Sequence, residues 1–282
     1  MIAYDGANSC FIDTAIMSLF NVNQKWLLKN ILKRNPKVHE ALKPLTRDIQ
    51  KELTHLYIKL KNSNNAYANG ESRSSGGSCN DLRHLRKLFH EYDIDYQKAY
   101  PERRFEKLEW RKTQLEPNDV YKFFLRIFDI KEDVKVKVNS SLRKYSFNSP
   151  YIPASDLINK KNVYLDTYFP VTRDVTTITY RYVNVLCVNI ERNYLNTKVI
   201  TPIKFKDHMI CGKTLWLKSI IIHNGGRVNS GHYMAYLKKK DGWYFYNDIG
   251  PVFKKVGKAG NNWWNNSSVE KNCTQLIYSF ED

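Results

Sequence analysis

Leu217-Lys218-Ser219-Ile220-Ile221-Ile222-His223-Asn224-Gly225-Gly226-Arg227-Val228-Asn229-Ser230-Gly231-His232-Tyr233-Met234-Ala235-Tyr236, followed by Asp241-Gly242-Trp243-Tyr244-Phe245-Tyr246-Asn247-Asp248, reads as three strands. Ile220 to Ile222 is an unbroken β-branched run, and a Gly-rich loop is expected after it. His232 to Leu237 and Trp243 to Tyr246 then flank Lys238-Lys239-Lys240-Asp241-Gly242, which has the composition of a hairpin turn. With the turn around Lys239 to Asp241, His232 and Asn247 fall on neighbouring strands within a residue or two of being opposite. The carboxamide oxygen can then accept from one imidazole nitrogen and fix the tautomer, while the other nitrogen faces a thiol.

A thiol with suitable surroundings occurs in Tyr4-Asp5-Gly6-Ala7-Asn8-Ser9-Cys10-Phe11-Ile12-Asp13-Thr14. Asp5, Gly6, Asn8 and Ser9 are turn and cap formers, whereas Phe11, Ile12, Ala15, Ile16, Leu19 and Phe20 recur at helical spacing. Cys10 therefore opens a buried helix. Backbone N–H groups at that end lack intrahelical acceptors and the macrodipole is positive, which favours a thiolate and can hold an oxyanion. Alone, such a cysteine is more often a small buried hydrophobe than a nucleophile; paired with His232 and Asn247 it becomes the nucleophile of a Cys-His-Asn triad.

Asn8 to Thr14 resembles the cysteine box of the ubiquitin-specific proteases. Ser230 to Tyr236 with Trp243 to Asp248 resembles their histidine box, including the upstream His-x-Gly at His223-Asn224-Gly225. Between the boxes, Pro117 to Phe128 is similar to the family's Gln-Gln-Asp-Ala-x-Glu-Phe-Leu helix, and Val185 to Arg192 to its central Leu-x-Leu-x-Arg strand. The resemblance spans nearly the whole chain, weakly in the middle. It implies an α+β, papain-like cysteine protease fold with a helical thumb over about 1–128 and short fingers and a β-rich palm over about 129–282. The activity implied is that of a deubiquitinase: Cys10 attacks the carbonyl after the C-terminal Gly of ubiquitin, His232 protonates the leaving amine, and Asn247 orients His232. A protease for another ubiquitin-like modifier and a catalytically weak ubiquitin-binding module are the alternatives.

The family match places Asn247 in the triad and leaves Asp248 as an auxiliary group. It also sets Asp119 and Tyr233 against the C-terminal tail of ubiquitin, although Asp119 is equally well placed to cap its helix. The oxyanion hole departs from the family pattern, because Asp5 stands five residues before the cysteine where relatives carry an amide. An ionised carboxylate cannot donate, and Asn8 is the nearest replacement. His223 reads as a structural histidine at a strand end.

The rest of the chain sets bounds. Nothing Pro- or Ser-rich and long enough to be a linker divides the 282 residues, so a single catalytic domain over 1–282 is expected. Gln24 to Leu32 and Val38 to Leu60 read as amphipathic helices, Asn62 to Ser78 as a mobile loop, and Asp81 to Phe89 and the Asp119 segment as helices. From Val134 the period becomes two, through Val138, Tyr164 and Tyr168, Ile178 to Ile190 and Ile200 to Phe205. Trp263-Trp264 reads as a loop anchored in the core, with an exposed partner-binding patch as the alternative, and Leu276 to Phe280 reads as a closing strand.

No apolar run approaches the ~20 residues of a membrane span. The first residues do not read as a signal peptide, so an intracellular, cytoplasmic or nuclear, location is expected. The five cysteines, Cys10, Cys79, Cys187, Cys211 and Cys273, lack Cys-x-x-Cys spacing; neither a zinc site nor any other cofactor is expected, unlike the zinc-bearing fingers of many relatives. The net charge of +17 suits nucleic acid, yet no recognition motif accompanies it, and ubiquitin remains the favoured partner. A richness in Lys, Asn, Ile, Tyr and Phe that fits an AT-rich genome, small size and a middle without a zinc site look like the compact deubiquitinase-like proteins of large DNA viruses, whose site of action would be the host cell.

Overall fold

The computed structural model describes residues 10–68, 80–102, 115–130, 134–138, 141–145, 151–168, 184–210, 214–227, 230–247, 253–258, 260, 262–265 and 267–281. Helices come first. Helix α1 runs Cys10–Leu19 and α2 Gln24–Leu27, which passes into a π-helical turn at Leu28–Leu32. A 3-10 turn at Glu40–Leu42 leads into α3 (Lys43–Ala68), followed by α4 (Asn80–Ala99) and α5 (Pro117–Ile127).

Strands dominate thereafter: β1 (Val134–Val138), β2 (Ser141–Tyr145), β3 (Tyr151–Ile152) and β4 (Val163–Tyr164). The single turn α6 (Leu165–Tyr168) precedes β5 (Val185–Ile190), β6 (Asn193–Tyr194), β7 (Thr197–Lys198), β8 (Ile203–Lys204) and β9 (His208–Ile210). Then come β10 (Thr214–Arg227), β11 (Ser230–Lys239), β12 (Gly242–Tyr246), β13 (Phe253–Gly257), the short α7 (Ser268–Asn272) and β14 (Cys273–Ser279).

The principal sheet has eight strands in the order β13-β12-β11-β10-β14-β5-β3, with β9 also paired to β10. Its two faces serve two apolar cores. One gathers α1 to α5 against Val185, Cys187, Ile221, Ala235, Leu237, Tyr246 and Ile277; the other packs Phe205, Trp243, Trp264 and Tyr278 against Leu186, Val188, Ile220 and Ile222. Because alternate residues of β5 enter opposite cores, all six of its side chains are buried, and the sequence shows a continuous apolar run instead of alternation. In β10, Leu215 and Leu217 share a core with Ile220 and Ile222. A register shift against β14 between Leu217 and Ser219 supplies the extra residue that reverses the strand's phase.

Helix α1 is pinned to that sheet. The Asn21 side-chain amide just past its end donates to the Lys218 carbonyl at 2.5 Å and the Lys238 carbonyl at 3.2 Å. Near its start, the Thr14 hydroxyl donates to the Tyr233 carbonyl at 3.3 Å. Ile12 and Ile16, both fully buried, contribute on the order of 1.5–3 kcal/mol each to this docking.

Several expectations are corrected. Residues 62–68 continue α3 instead of opening a loop, because extending a formed helix needs no new nucleus and Asn or Ser costs only a fraction of a kcal/mol; residues 69–79 lie outside the described part. Tyr164 ends a strand, but Leu165–Tyr168 is a helical turn. A four-residue spacing fits one helical turn as well as two strand steps. Of the strand expected over Ile178 to Ile190, Val185–Ile190 is strand and residues 178–183 lie outside the described part, whereas that expected over Ile200 to Phe205 is only Ile203–Lys204. The Gly-rich loop is mostly strand: β10 extends through Gly225 and Gly226 to Arg227. The helix at Asp81 runs on to Ala99, burying Tyr92 and Tyr96 beyond the expected Leu85, Leu88 and Phe89. Trp264, 1% exposed, anchors its loop as expected.

Candidate active site

Cys10 is the first residue of α1 and half-buried, at the end where the backbone N–H groups point outward. One turn on, Thr14 bonds the carbonyl of Tyr233, so the helix start lies toward the end of β11 that carries His232. His232 and Asn247 meet across the hairpin: His232 Nε2 lies 2.7 Å from Asn247 Oδ1. The β11–β12 ladder explains the meeting. Ala235 pairs with Tyr246, which sets Asn247 one step beyond, two residues from the position facing His232 and on the same face. An amide oxygen can only accept, so Nε2 carries the hydrogen of this pair and Nδ1 is the basic nitrogen of the neutral ring.

A bulge re-aims the strand just before His232. Asn224 pairs with His232 and Arg227 with Ser230, leaving Gly225 and Gly226 opposite Gly231 alone. Two of these glycines are required. A Cβ on Gly225 would sit 2.3 Å from the Ser230 carbonyl oxygen; one on Gly231, where φ is +155°, would sit 2.5 Å from His223 Nε2.

His223 fills the space behind. It is 5% exposed, and its ring packs on Tyr233 with centroids 4.7 Å apart. Burial, with the charges of Lys198 and His232 adding to it, pushes its pKa down to about 4. It is a neutral supporting ring at physiological pH, which agrees with its structural reading.

The Tyr233 hydroxyl gathers the acidic part of the site. Burial raises its pKa well above the usual value, and the charges of Glu116, Cys10 and Asp119 add to the shift, so these four side chains share one neighbourhood. Asp119 caps its helix: Oδ2 accepts from the Glu116 backbone N–H at 2.9 Å. Glu116 was missed by sequence reasoning. Burial first, then the carboxylates of Asp119 and Glu191, hold its carboxyl up at about 7 against the pull of Lys122. Only its place immediately before Pro117 at a helix start could have signalled it. Asp5, Asn8 and Asp248 lie outside the described residues, as do Cys79 and Cys211. Among the described residues no group of His, Cys, Asp and Glu could hold a metal ion, and no helix is long and apolar enough to cross a membrane.

Helices α1 to α5 packed on one face of a mostly antiparallel sheet, with a thiol at a helix start and an imidazole–carboxamide pair on the facing hairpin, make this an α+β, papain-like fold. Residues 5–251 match the family described as ubiquitin carboxyl-terminal hydrolase, and the chain belongs to that family. A comparison with curated proteins finds no match. Among solved structures, the chain is similar to a crystal structure of an essential yeast splicing factor, at 13% identity and a TM-score of 0.41 over 67% of this chain. It spans about half of that protein, 52% of its length, and so distant a likeness carries no functional argument.

Proposed function

We propose that this protein is a cysteine isopeptidase that hydrolyses the bond after the C-terminal Gly of ubiquitin through a thioester on Cys10. The observation that carries the reading is the 2.7 Å pairing of His232 Nε2 with Asn247 Oδ1, on the strand against which the Cys10 helix is docked. In this mechanism Nδ1 takes the thiol proton and the thiolate attacks the carbonyl carbon, forming the C–S bond. The proton then passes from the imidazolium to the lysine amine as the C–N bond breaks. Water, deprotonated by the same nitrogen, attacks the thioester and releases the carboxylate and the thiol. Backbone N–H groups at the α1 start, with the Asn8 amide, hold the oxyanion in both halves, while Asp248 is the auxiliary group. Asp119, Glu116 and Tyr233 line the way in for a narrow, cationic Gly-Gly tail, which accounts for selectivity against ordinary peptides.

The test is reaction of the purified protein with ubiquitin carrying a C-terminal electrophile. A single adduct on Cys10, absent in Cys10→Ala, is expected. An adduct with another modifier but not with ubiquitin would move the substrate assignment; binding of ubiquitin with no adduct would leave only a binding module.

A further inference from the structure

Lys198, at the end of β7, spends its whole ammonium group on the active-site hairpin. Its Nζ donates to the His223 carbonyl at 2.7 Å, the Gly225 carbonyl at 2.7 Å and Asn272 Oδ1 at 2.8 Å. Three donors meet three acceptors, so the charge is consumed inside the fold and is not offered to a ligand. The Asn272 carboxamide is itself held by donating Nδ2 to the Ser268 carbonyl at 2.9 Å. The two carbonyls flank Asn224 and lie at the bulge where Gly225 and Gly226 face Gly231, the residue before His232. The ladder to β11 resumes on either side, but Gly225 and Gly226 share one opposing residue, so the bulge draws part of its fixed geometry from groups outside the ladder.

We infer that Lys198 is a positioning residue for His232: its ammonium clips the bulged end of β10 to the β6–β7 hairpin and α7, and so fixes the approach of the imidazole to Cys10. The inference rests on the thiol–imidazole reading above. The physical route is short. Without the clip, the His223 and Gly225 carbonyls lose their common donor and the bulge relaxes. The His223 ring, which touches Gly231, then moves with it, and the backbone entering His232 shifts. A misplacement on the order of 1 Å at a reacting group can cost about 100-fold in rate. The β6–β7 turn is itself built to present the lysine: Leu195 and Asn196 hold positive φ values of 48° and 64°, the two-residue turn that matches strand twist.

The experiment measures Cys10 alkylation by iodoacetamide from pH 4 to 10, followed by mass spectrometry of the Cys10 peptide, beside steady-state hydrolysis of a fluorogenic ubiquitin amide. Wild type should show an alkylation arm below the ordinary thiol range that disappears in His232→Ala. Lys198→Met is expected to lose most of that arm and to lower kcat about 10- to 100-fold with KM within about 3-fold. Lys198→Arg, whose fork can still reach two carbonyls, should recover part of both. Thermal denaturation runs alongside, and if Lys198→Met does not fold, Asn272→Ala, which removes one of the three acceptors, should show the same kcat-specific loss in smaller measure. A Lys198→Met or Asn272→Ala profile superimposable on wild type, or a change in KM with kcat intact, overturns the inference. An absent arm in wild type itself would instead refute the thiol–imidazole pair.

Discussion

Asn247→Ala removes the acceptor 2.7 Å from His232 Nε2 and leaves the rest of the half-buried hairpin end in place. While the ring is neutral, such a hydrogen bond is worth about 1 kcal/mol net; once the ring is cationic, as it becomes when Cys10 is deprotonated, it is worth about 1.5–3 kcal/mol. The difference, about 0.5–2 kcal/mol, is felt in the barrier and alone gives roughly a 2- to 30-fold loss in kcat. Loss of the fixed tautomer and ring orientation adds to this, so a total of about 10- to 100-fold is expected. KM should hold, because the amide oxygen is turned toward the ring and not toward the tail. The assay is hydrolysis of ubiquitin carrying a C-terminal fluorogenic amide, with Asn247→Asp, which keeps an acceptor, as the control that retains most activity. Full turnover in Asn247→Ala would refute the assignment, and abolition by Asp248→Ala in the same assay would name Asp248 as the third member.

Asp119→Asn keeps an oxygen for the Glu116 N–H but loses the charge; it should raise KM for ubiquitin substrates with the melting temperature little changed, whereas lost stability with unaltered KM would reduce Asp119 to its cap. Gly231→Ala forces a side chain into the His223 ring at a backbone angle that only glycine adopts easily, and should cost about 1–3 kcal/mol in denaturant unfolding along with most activity; a wild-type-like protein would contradict the bulge geometry. His223 is buried neutral with its folded pKa lowered to about 4 from about 6.5, so the unfolded chain binds more protons between those values. Stability should therefore be fully present above about pH 6.5 and fall, on the order of 2 kcal/mol, as the pH drops toward 4; His223→Gln should flatten that slope, and an unchanged slope would assign it elsewhere. Asn8→Ala should lower kcat at least about tenfold, on the order of 1.4 kcal/mol, without changing ubiquitin affinity, while Asp5→Asn should be neutral or activating. A silent Asn8→Ala with an inactivating Asp5→Asn would reverse that oxyanion assignment.

The hairpin that brings His232 to Asn247 was legible because its information is local. Lys238 to Gly242 is a turn by composition, and counting outward from it sets the register to within two residues. Cys10 at a helix start was legible for the same reason, the switch from cap formers to a 3.6-residue apolar period. Glu116 and Lys198 were not legible, since what makes them matter is the approach of Asp119, Glu191, His223, Gly225 and Asn272, four of which are remote in the chain from the residue they touch. Gly225 and Gly226 misled in a different way. Glycine marks either a loop or a place where two backbones crowd together, and only the nearness of Ser230 and Gly231 tells which. Strand order was equally hidden: Leu276 and Ile277 read as core strand, but no pattern says between which neighbours.

That order has a consequence for synthesis. Strand β14 lies between β10 and β5, so the strand beside the His232 hairpin, already paired with β9 and β11, gains its last neighbour only after residue 279 has left the ribosome. A growing chain that has already exposed Cys10, His232 and Asn247 still lacks the middle of its sheet. A chain halted before Cys273 leaves Ile220 and Ile222 without the Leu276 and Cys273 they pair with. The sheet thus closes late, at its own centre, and until it does the apolar strands on either side of β14 stay open to solvent.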